Sequence, residues 1–250
     1  MKNGLPKWVQ DRFDPAARYG LRVTLFALAT LVVLGPFIYL LLQVTSNGPL
    51  TRTDTEVAES LHSVAQETPP IIVVAMIISF LGVPAWFYVI IGSAAIYFWR
   101  KDRRRIAIYL VVTNLVGGAL DTIVKLSVNR PRPDLPNPSV EALGKSFPSG
   151  HTMAATVGYG TLLLVFMPLI PRRWRVPAVV AYFVWVSLTA LSRMSLGVHY
   201  VSDVLGGFVL GLAWLLAGTA AFSIWRREEG RKPVEVLEGA DPEVKRAITN

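Results

Sequence analysis

The sequence predicts an all-α fold, a polytopic membrane bundle of six transmembrane helices with both termini in the cytoplasm. Three observations carry this. Of 250 residues, 52% are hydrophobic and the mean hydropathy is +0.45, more apolar than an ordinary soluble chain. The apolar residues gather into segments near the roughly 20 residues that a spanning helix needs. The basic residues gather in alternate connections, as spanning chains arrange them.

The spans follow in order. Leu21–Val44 is the first, and without an obvious small-residue cleavage site it reads as a retained anchor rather than a signal peptide. The polar connection 45–70 follows, in which Thr51–Ala65 has the pattern of an amphipathic helix, either lying on the outer surface over a site entrance or simply solvated. Ile71–Trp99 is too long for one span and is broken at Gly82-Val83-Pro84. It reads as a surface or partly inserted helix to about Leu81, then a span Val83–Trp99 with Pro84 in its first turn, where the missing N–H does no harm. Ile106–Val128, Thr152–Ile170, Val176–Leu191 and Val204–Trp225 complete the set. Residues 1–20 are then a cytoplasmic segment, 21–225 the membrane domain and 226–250 a solvated cytoplasmic tail of alternating charge.

Orientation comes from Lys and Arg. They crowd the N-terminus, the connection Arg100–Arg105, the connection Arg172–Arg175 and the tail, whereas 45–70 carries only Arg52 against Asp54, Glu56, Glu59 and Glu67. The net charge of +8 therefore sits in short loops and does not point to nucleic acid. The absence of cysteine removes thiol catalysis, thiolate metal sites and disulfides.

Three polar islands then fall on the outer side. In the first, Lys125 lies near the end of the third span with Asp121 one turn before it, and Arg132 follows in an extended Arg-Pro-Arg-Pro run. Lysine and Asp121 alone are as consistent with a snorkelling pair. Lysine as a point charge and arginine as a planar fork together suit phosphate. The second island is Pro148-Ser149-Gly150-His151 before the fourth span, where a hydroxyl, free amides and the helix dipole make an anion site. Ser149 by itself reads as an ordinary cap. In the third, His199 and Asp203 stand four apart where the last span begins, so a helix puts them on one face, and Arg193 adds a fork. A carboxylate on one ring nitrogen leaves the other free to attack. Such a pair in isolation is more often an incidental surface contact; three islands on one face carry the inference. Arg130, Asp134 and Lys145 read as solvent-facing neighbours, and His62 as a surface residue.

The islands resemble the signature of the type-2 phosphatidic acid phosphatase superfamily, which also includes vanadium haloperoxidases and glucose-6-phosphatase. Lys125…Arg132-Pro133, Pro148-Ser149-Gly150-His151 and Ser192-Arg193…His199…Asp203 match its Lys-x6-Arg-Pro, Pro-Ser-Gly-His and Ser-Arg-x5-His-x3-Asp at all eleven specified positions. The resemblance implies that His199 is the nucleophile of a phosphohistidine, that Asp203 orients it, and that His151 protonates the leaving oxygen. It implies that Lys125, Arg132, Ser149, the Gly150 amide and Arg193 hold the phosphoryl oxygens, without metal or cofactor.

The expectation is a metal-independent membrane lipid phosphatase in the plasma membrane of a bacterium, its site facing outward. The preferred substrate is an undecaprenyl-type pyrophosphate, with phosphatidylglycerophosphate or phosphatidate as alternatives. A haloperoxidase would share the anion site but is a soluble enzyme. A lipid-binding transporter or scaffold would explain Gly207-x-x-x-Gly211 and Gly117-Gly118 as close-packing sites, yet gives the two histidines no role. Oligomeric state is not readable from the sequence.

Overall fold

A computed structural model describes residues 21–136 and 139–228, so the expectations for segment 1–20 and for the tail beyond residue 228 lie outside the described residues. The described residues form eight α-helices and one 3-10 turn: α1 Leu21–Thr45, α2 Leu50–Glu67, α3 Pro69–Leu81, α4 Pro84–Arg100, α5 Arg104–Val128, α6 Gly150–Phe166 (followed by the 3-10 turn Met167–Leu169), α7 Arg172–Ser195 and α8 Val201–Glu228.

Among the described residues five helices are long and apolar enough to cross a membrane: α1 over Ala27–Thr45, α5, α6 with its 3-10 turn, α7, and α8 over Val201–Phe222. The predicted span after Pro84 is α4; its 17 residues put it at the lower limit for crossing. The predicted break at Gly82-Val83-Pro84 is present, with Val83 extended and Pro84 opening α4. Before it, α2 and α3 meet at a 114° bend. Pro69 and Pro70 begin α3, a position where proline's missing N–H costs no helix bond.

The expected amphipathic helix in 45–70 is α2, and it is docked rather than solvated. Asp54, Ala58, His62 and Ala65 form its buried stripe. His62 is thus not a surface residue: its Nδ1 faces Ser195 O at 3.3 Å and its Nε2 faces Pro136 O at 3.0 Å. Below it, Gly197 adopts φ +74°, where a Cβ would approach His62 Nδ1 to 2.8 Å.

Helix α6 is the axis of the bundle, with buried residues around its circumference. On one side Phe87, Ile91 and Phe98 of α4 pack with Leu110 of α5, Ala155 of α6 and Val186 of α7. On the other, Phe37, Leu40 and Val44 of α1 meet Phe147, Met153 and Leu210. Buried hydroxyls are satisfied locally, as when Thr156 Oγ1 donates to Thr152 O at 2.7 Å. Large apolar side chains such as Leu31, Val32, Phe80, Leu126 and Val176 remain exposed, as a lipid-facing surface requires. The antiparallel order brings the starts of α4, α6 and α8 and the ends of α5 and α7 to one end. The basic connections around Arg100–Arg105 and Arg172–Arg175 lie at the opposite end.

Small residues set the helix spacing. A Cβ on Gly207 would stand 2.5 Å from Ser149 O, a backbone atom, and one on Gly211 would stand 3.0 Å from Thr156 Cβ. Gly118 has nothing within 4 Å of that position. Gly207→Ala is therefore expected to destabilise the bundle by about 1–3 kcal/mol through overpacking, while Gly118→Ala is expected to cost nothing. Thermal melts of both variants in detergent check the contrast.

Candidate active site

The first island forms where α5 ends. Asn129 takes a left-handed φ of 55° and its amide bonds Lys125 O at 3.0 Å, which stops the helix and turns the chain into the extended run that follows. Lys125 Nζ lies 2.5 Å from Asp121 Oδ1, as its i−4 spacing predicts, and also donates to Pro148 O at 2.6 Å. Arg132 is pinned by three carbonyls: Nε to Gly144 O at 3.2 Å, Nη2 to Leu143 O at 3.0 Å and Nη1 to Val198 O at 2.9 Å. Burial draws its guanidinium below the ordinary arginine value, against the attraction of Asp203 and Asp121.

At the start of α6, Ser149 is fully buried in extended backbone and makes no side-chain capping bond. Its amide donates to Asp203 O at 2.9 Å and its hydroxyl accepts from Thr152 Oγ1 at 3.2 Å. Gly150 is required by close approach, since a Cβ there would stand 3.2 Å from both Asp121 Oδ2 and Lys125 Nζ. His151 is half-buried on the cavity wall.

Arg193 closes the third side from the last turn of α7. Its Nη1 donates to Ser79 Oγ at 2.5 Å, and its buried Nε has no hydrogen-bond partner among the described residues. Spacing put His199 and Asp203 on one helix face; instead α8 begins at Val201 and His199 lies just before it. The two still meet, because Asp203 in the first turn reaches back to the Tyr200 amide at 2.9 Å and faces His199 Nδ1 at 3.3 Å. With Nδ1 carrying the proton, the Nε2 lone pair points outward and accepts from Arg132 Nη1 at 3.0 Å. Burial depresses the His199 pKa to about 4 against the pull of Asp203, so the ring is neutral at neutral pH.

These residues surround one cavity of about 400 Å³, walled by Lys125, Arg132, Gly150, His151, Arg193 and His199 among others. Of the predicted phosphate-gripping residues, only Ser149 stands behind the wall. The cavity shares Pro84, Asp121 and Gly150 with a second, largely apolar groove of about 750 Å³ between α4, α5 and α6.

Four contributors escaped the sequence reasoning. Arg130 does not face solvent: its Nη1 donates to Asp203 Oδ1 at 2.7 Å, its Nη2 to Asp54 Oδ2 at 2.8 Å, and its plane lies 4.2 Å from the Tyr200 ring centre. Burial is outweighed by Asp203 and Asp54, which raise its pKa. Asp54 also accepts the Ser202 amide at 2.8 Å. Ser146 donates a short hydrogen bond to Asp203 Oδ2. Ser79 holds Arg193. Only α2's stripe of Asp54, Ala58 and His62 left a trace in spacing. Asp134 is exposed and Lys145 half-buried.

A family model described as the PAP2 superfamily matches residues 106–227, which contain all three islands. Phosphatidylglycerophosphatase B of Bacillus subtilis (strain 168) is 35% identical over 127 residues, 50% of this chain and 61% of that protein. A lipid A 1-phosphatase of Rhizobium etli is 34% identical over 46% of this chain and 49% of its own. An undecaprenyl-diphosphatase of Sulfolobus acidocaldarius is 31% identical over 51% and 60%. The matched stretch thus spans about half to three fifths of these relatives. A crystal structure of a transmembrane PAP2-type phosphatidylglycerolphosphate phosphatase from Bacillus subtilis superposes with a TM-score of 0.66 at 27% identity, over 82% of this chain and 98% of that one.

The depressed His199 value carries a sign. The unfolded ring binds a proton near pH 6.5 and the folded ring near 4, so this group's contribution to stability is full above 6.5 and is lost as pH falls toward 4. Ring-nitrogen NMR of the protein in detergent is expected to give a His199 midpoint near 4. A midpoint near the ordinary histidine value of 6.5 would contradict the buried geometry.

Proposed function

We infer, from a chain that belongs to the PAP2 superfamily through residues 106–227, that this protein is a membrane lipid phosphatase working through a phosphohistidine without a metal ion. The observation that carries it is the single cavity in which the His199 ring nitrogen, His151 and the cations Lys125, Arg132 and Arg193 converge, opening onto an apolar groove.

The geometry supports a two-step displacement. A phosphoryl oxygen entering the cavity takes over the Arg132 donor that now rests on His199 Nε2, which frees the lone pair to attack phosphorus. The P–N bond forms as the bond to the lipid oxygen breaks, and His151 delivers its proton to that oxygen. Asp203 supports the positive charge that develops on the ring. In the second step His151 takes a proton from water, the water oxygen attacks phosphorus and the P–N electron pair returns to Nε2. Lys125, Arg132, Arg193 and the first-turn amides of α6 stabilise the equatorial oxygens.

Room for about 400 Å³ and three cationic side chains suit two phosphoryl groups, which favours an undecaprenyl-type diphosphate. Phosphatidylglycerophosphate is the second reading, supported by likeness in sequence and in structure to the two Bacillus subtilis proteins named for it. The apolar groove sharing the cavity wall suits the hydrocarbon tail of either. Basic connections at the end opposite the site support a bacterial plasma-membrane location with the site outward.

Phosphate release from undecaprenyl diphosphate, phosphatidylglycerophosphate and phosphatidate, assayed in detergent with chelator, tests the proposal. Turnover is expected to persist with chelator and to fall by about 10³-fold or more in His199→Ala. Full activity in that variant would overturn the mechanism, and the ranking of the three lipids decides the substrate.

A further inference from the structure

Asp54 lies on α2, outside the matched segment 106–227, and its side chain is fully buried. A buried carboxylate persists only when paired and hydrogen-bonded. Asp54 has both supports. Its Oδ2 accepts from Arg130 Nη2 at 2.8 Å and from the Ser202 hydroxyl at 2.5 Å, while Oδ1 accepts the Ser202 amide at 2.8 Å. That amide belongs to the second residue of α8, so Asp54 caps α8 from another helix. Arg130 carries the link onward, with Nη1 donating to Ser202 Oγ at 2.6 Å and to Asp203 Oδ1 at 2.7 Å.

We propose that Asp54 is a positioning residue which, through Arg130 and Ser202, fixes the orientation and charge of Asp203 and the loop bearing His199, making the outer helix α2 part of the reaction centre. Asp203 has two oxygens with separate duties. Oδ2 is held by Ser146 and the Tyr200 amide and faces His199 Nδ1; Oδ1 is held by Arg130. The 3.3 Å contact to Nδ1 is long, so a small rotation of the carboxylate loses it. Removing the Asp54 charge leaves Arg130 with one carboxylate. Its full charge then bears on Asp203, which becomes a weaker acceptor for the Nδ1 proton, and α8 loses its cap. Both changes weaken Nε2 as a nucleophile. Lys125, Arg132 and Arg193 make no bond to Asp54, so the hold on substrate phosphate is unchanged.

The proposal rests on the phosphohistidine mechanism, and its test separates the two. Full-length Asp54→Asn and Asp54→Glu are compared with wild type in detergent, measuring kcat and KM per folded molecule and, without substrate, the NMR resonance of the His199 Nδ1 proton. Asp54→Asn is expected to lower kcat by about 10²-fold with KM within about threefold, to displace that resonance, and to be partly rescued by Asp54→Glu. A merely structural role would reduce the yield of folded protein and leave turnover per molecule intact. Wild-type kcat, a raised KM with kcat unchanged, or an unmoved resonance overturns the proposal. If Asp54→Asn does not fold, Ser202→Ala removes the bridging hydroxyl alone and is expected to lower kcat about 10-fold, with a wild-type value overturning it. A wild-type protein that releases no phosphate defeats the phosphatase reading, while the resonance still decides the role of Asp54.

Discussion

Four cations, Lys125, Arg130, Arg132 and Arg193, are gathered at one end of a bundle whose surroundings are low in dielectric. Unbalanced like charges there repel strongly, so the protein's own groups must hold them in place. It does so unequally. Lys125 is matched by Asp121, and Arg130 by Asp54 and Asp203. Arg132 is held by carbonyls, and Arg193 by one hydroxyl with its Nε left over. Arg130 joins α2 to the start of α8, while Lys125 stands on the cavity wall beside Asp121. Arg132 and Arg193 also line the cavity. Cations fixed in this way by the protein's own groups need little rearrangement if charge develops beside them.

The spans were legible because lipid imposes a length and a polarity on them, and the three islands because their residue types and spacing have a chemical meaning together. Boundaries moved only by turns: α8 starts at Val201 rather than Val204, since Asp203 itself helps to begin the helix. The polar scaffold behind the site was not legible. Arg130 and Asp54 are 76 positions apart, and Asp54 and Ser202 are 148 apart. A buried ion pair leaves no periodicity, and its members look like any solvated charge. His62 was misread for the same reason, being a polar residue on a helix whose other faces are polar. Ser149, expected at the phosphate, is buried behind the wall, where its hydroxyl accepts from Thr152.

Glycines were readable as close-packing positions, but not which of them mattered. Gly207 and Gly211 sit where α8 touches the backbone and threonines of α6, whereas Gly118 faces open groove. Without a hydrophobic force between helices in lipid, such approaches supply much of the packing energy. They also place the first turn of α6 against α8, which is how the second and third islands come to share a cavity.

The short α4 has a bearing on the surrounding bilayer. At 1.5 Å per residue its 17 residues extend about 25 Å, against about 37 Å for the neighbouring 25-residue α5 and a hydrocarbon thickness near 30 Å. The mismatch falls along the groove between these two helices. A bilayer that meets α4 as a span would thin or tilt along that wall, at a cost of a fraction of a kcal/mol per Å. Headgroups beside such a span would sit lower than in the rest of the leaflet, toward the level of Pro84 and Lys125 on the cavity wall. The length of one abbreviated helix, rather than any loop, would then set how deep the leaflet surface lies beside the cavity.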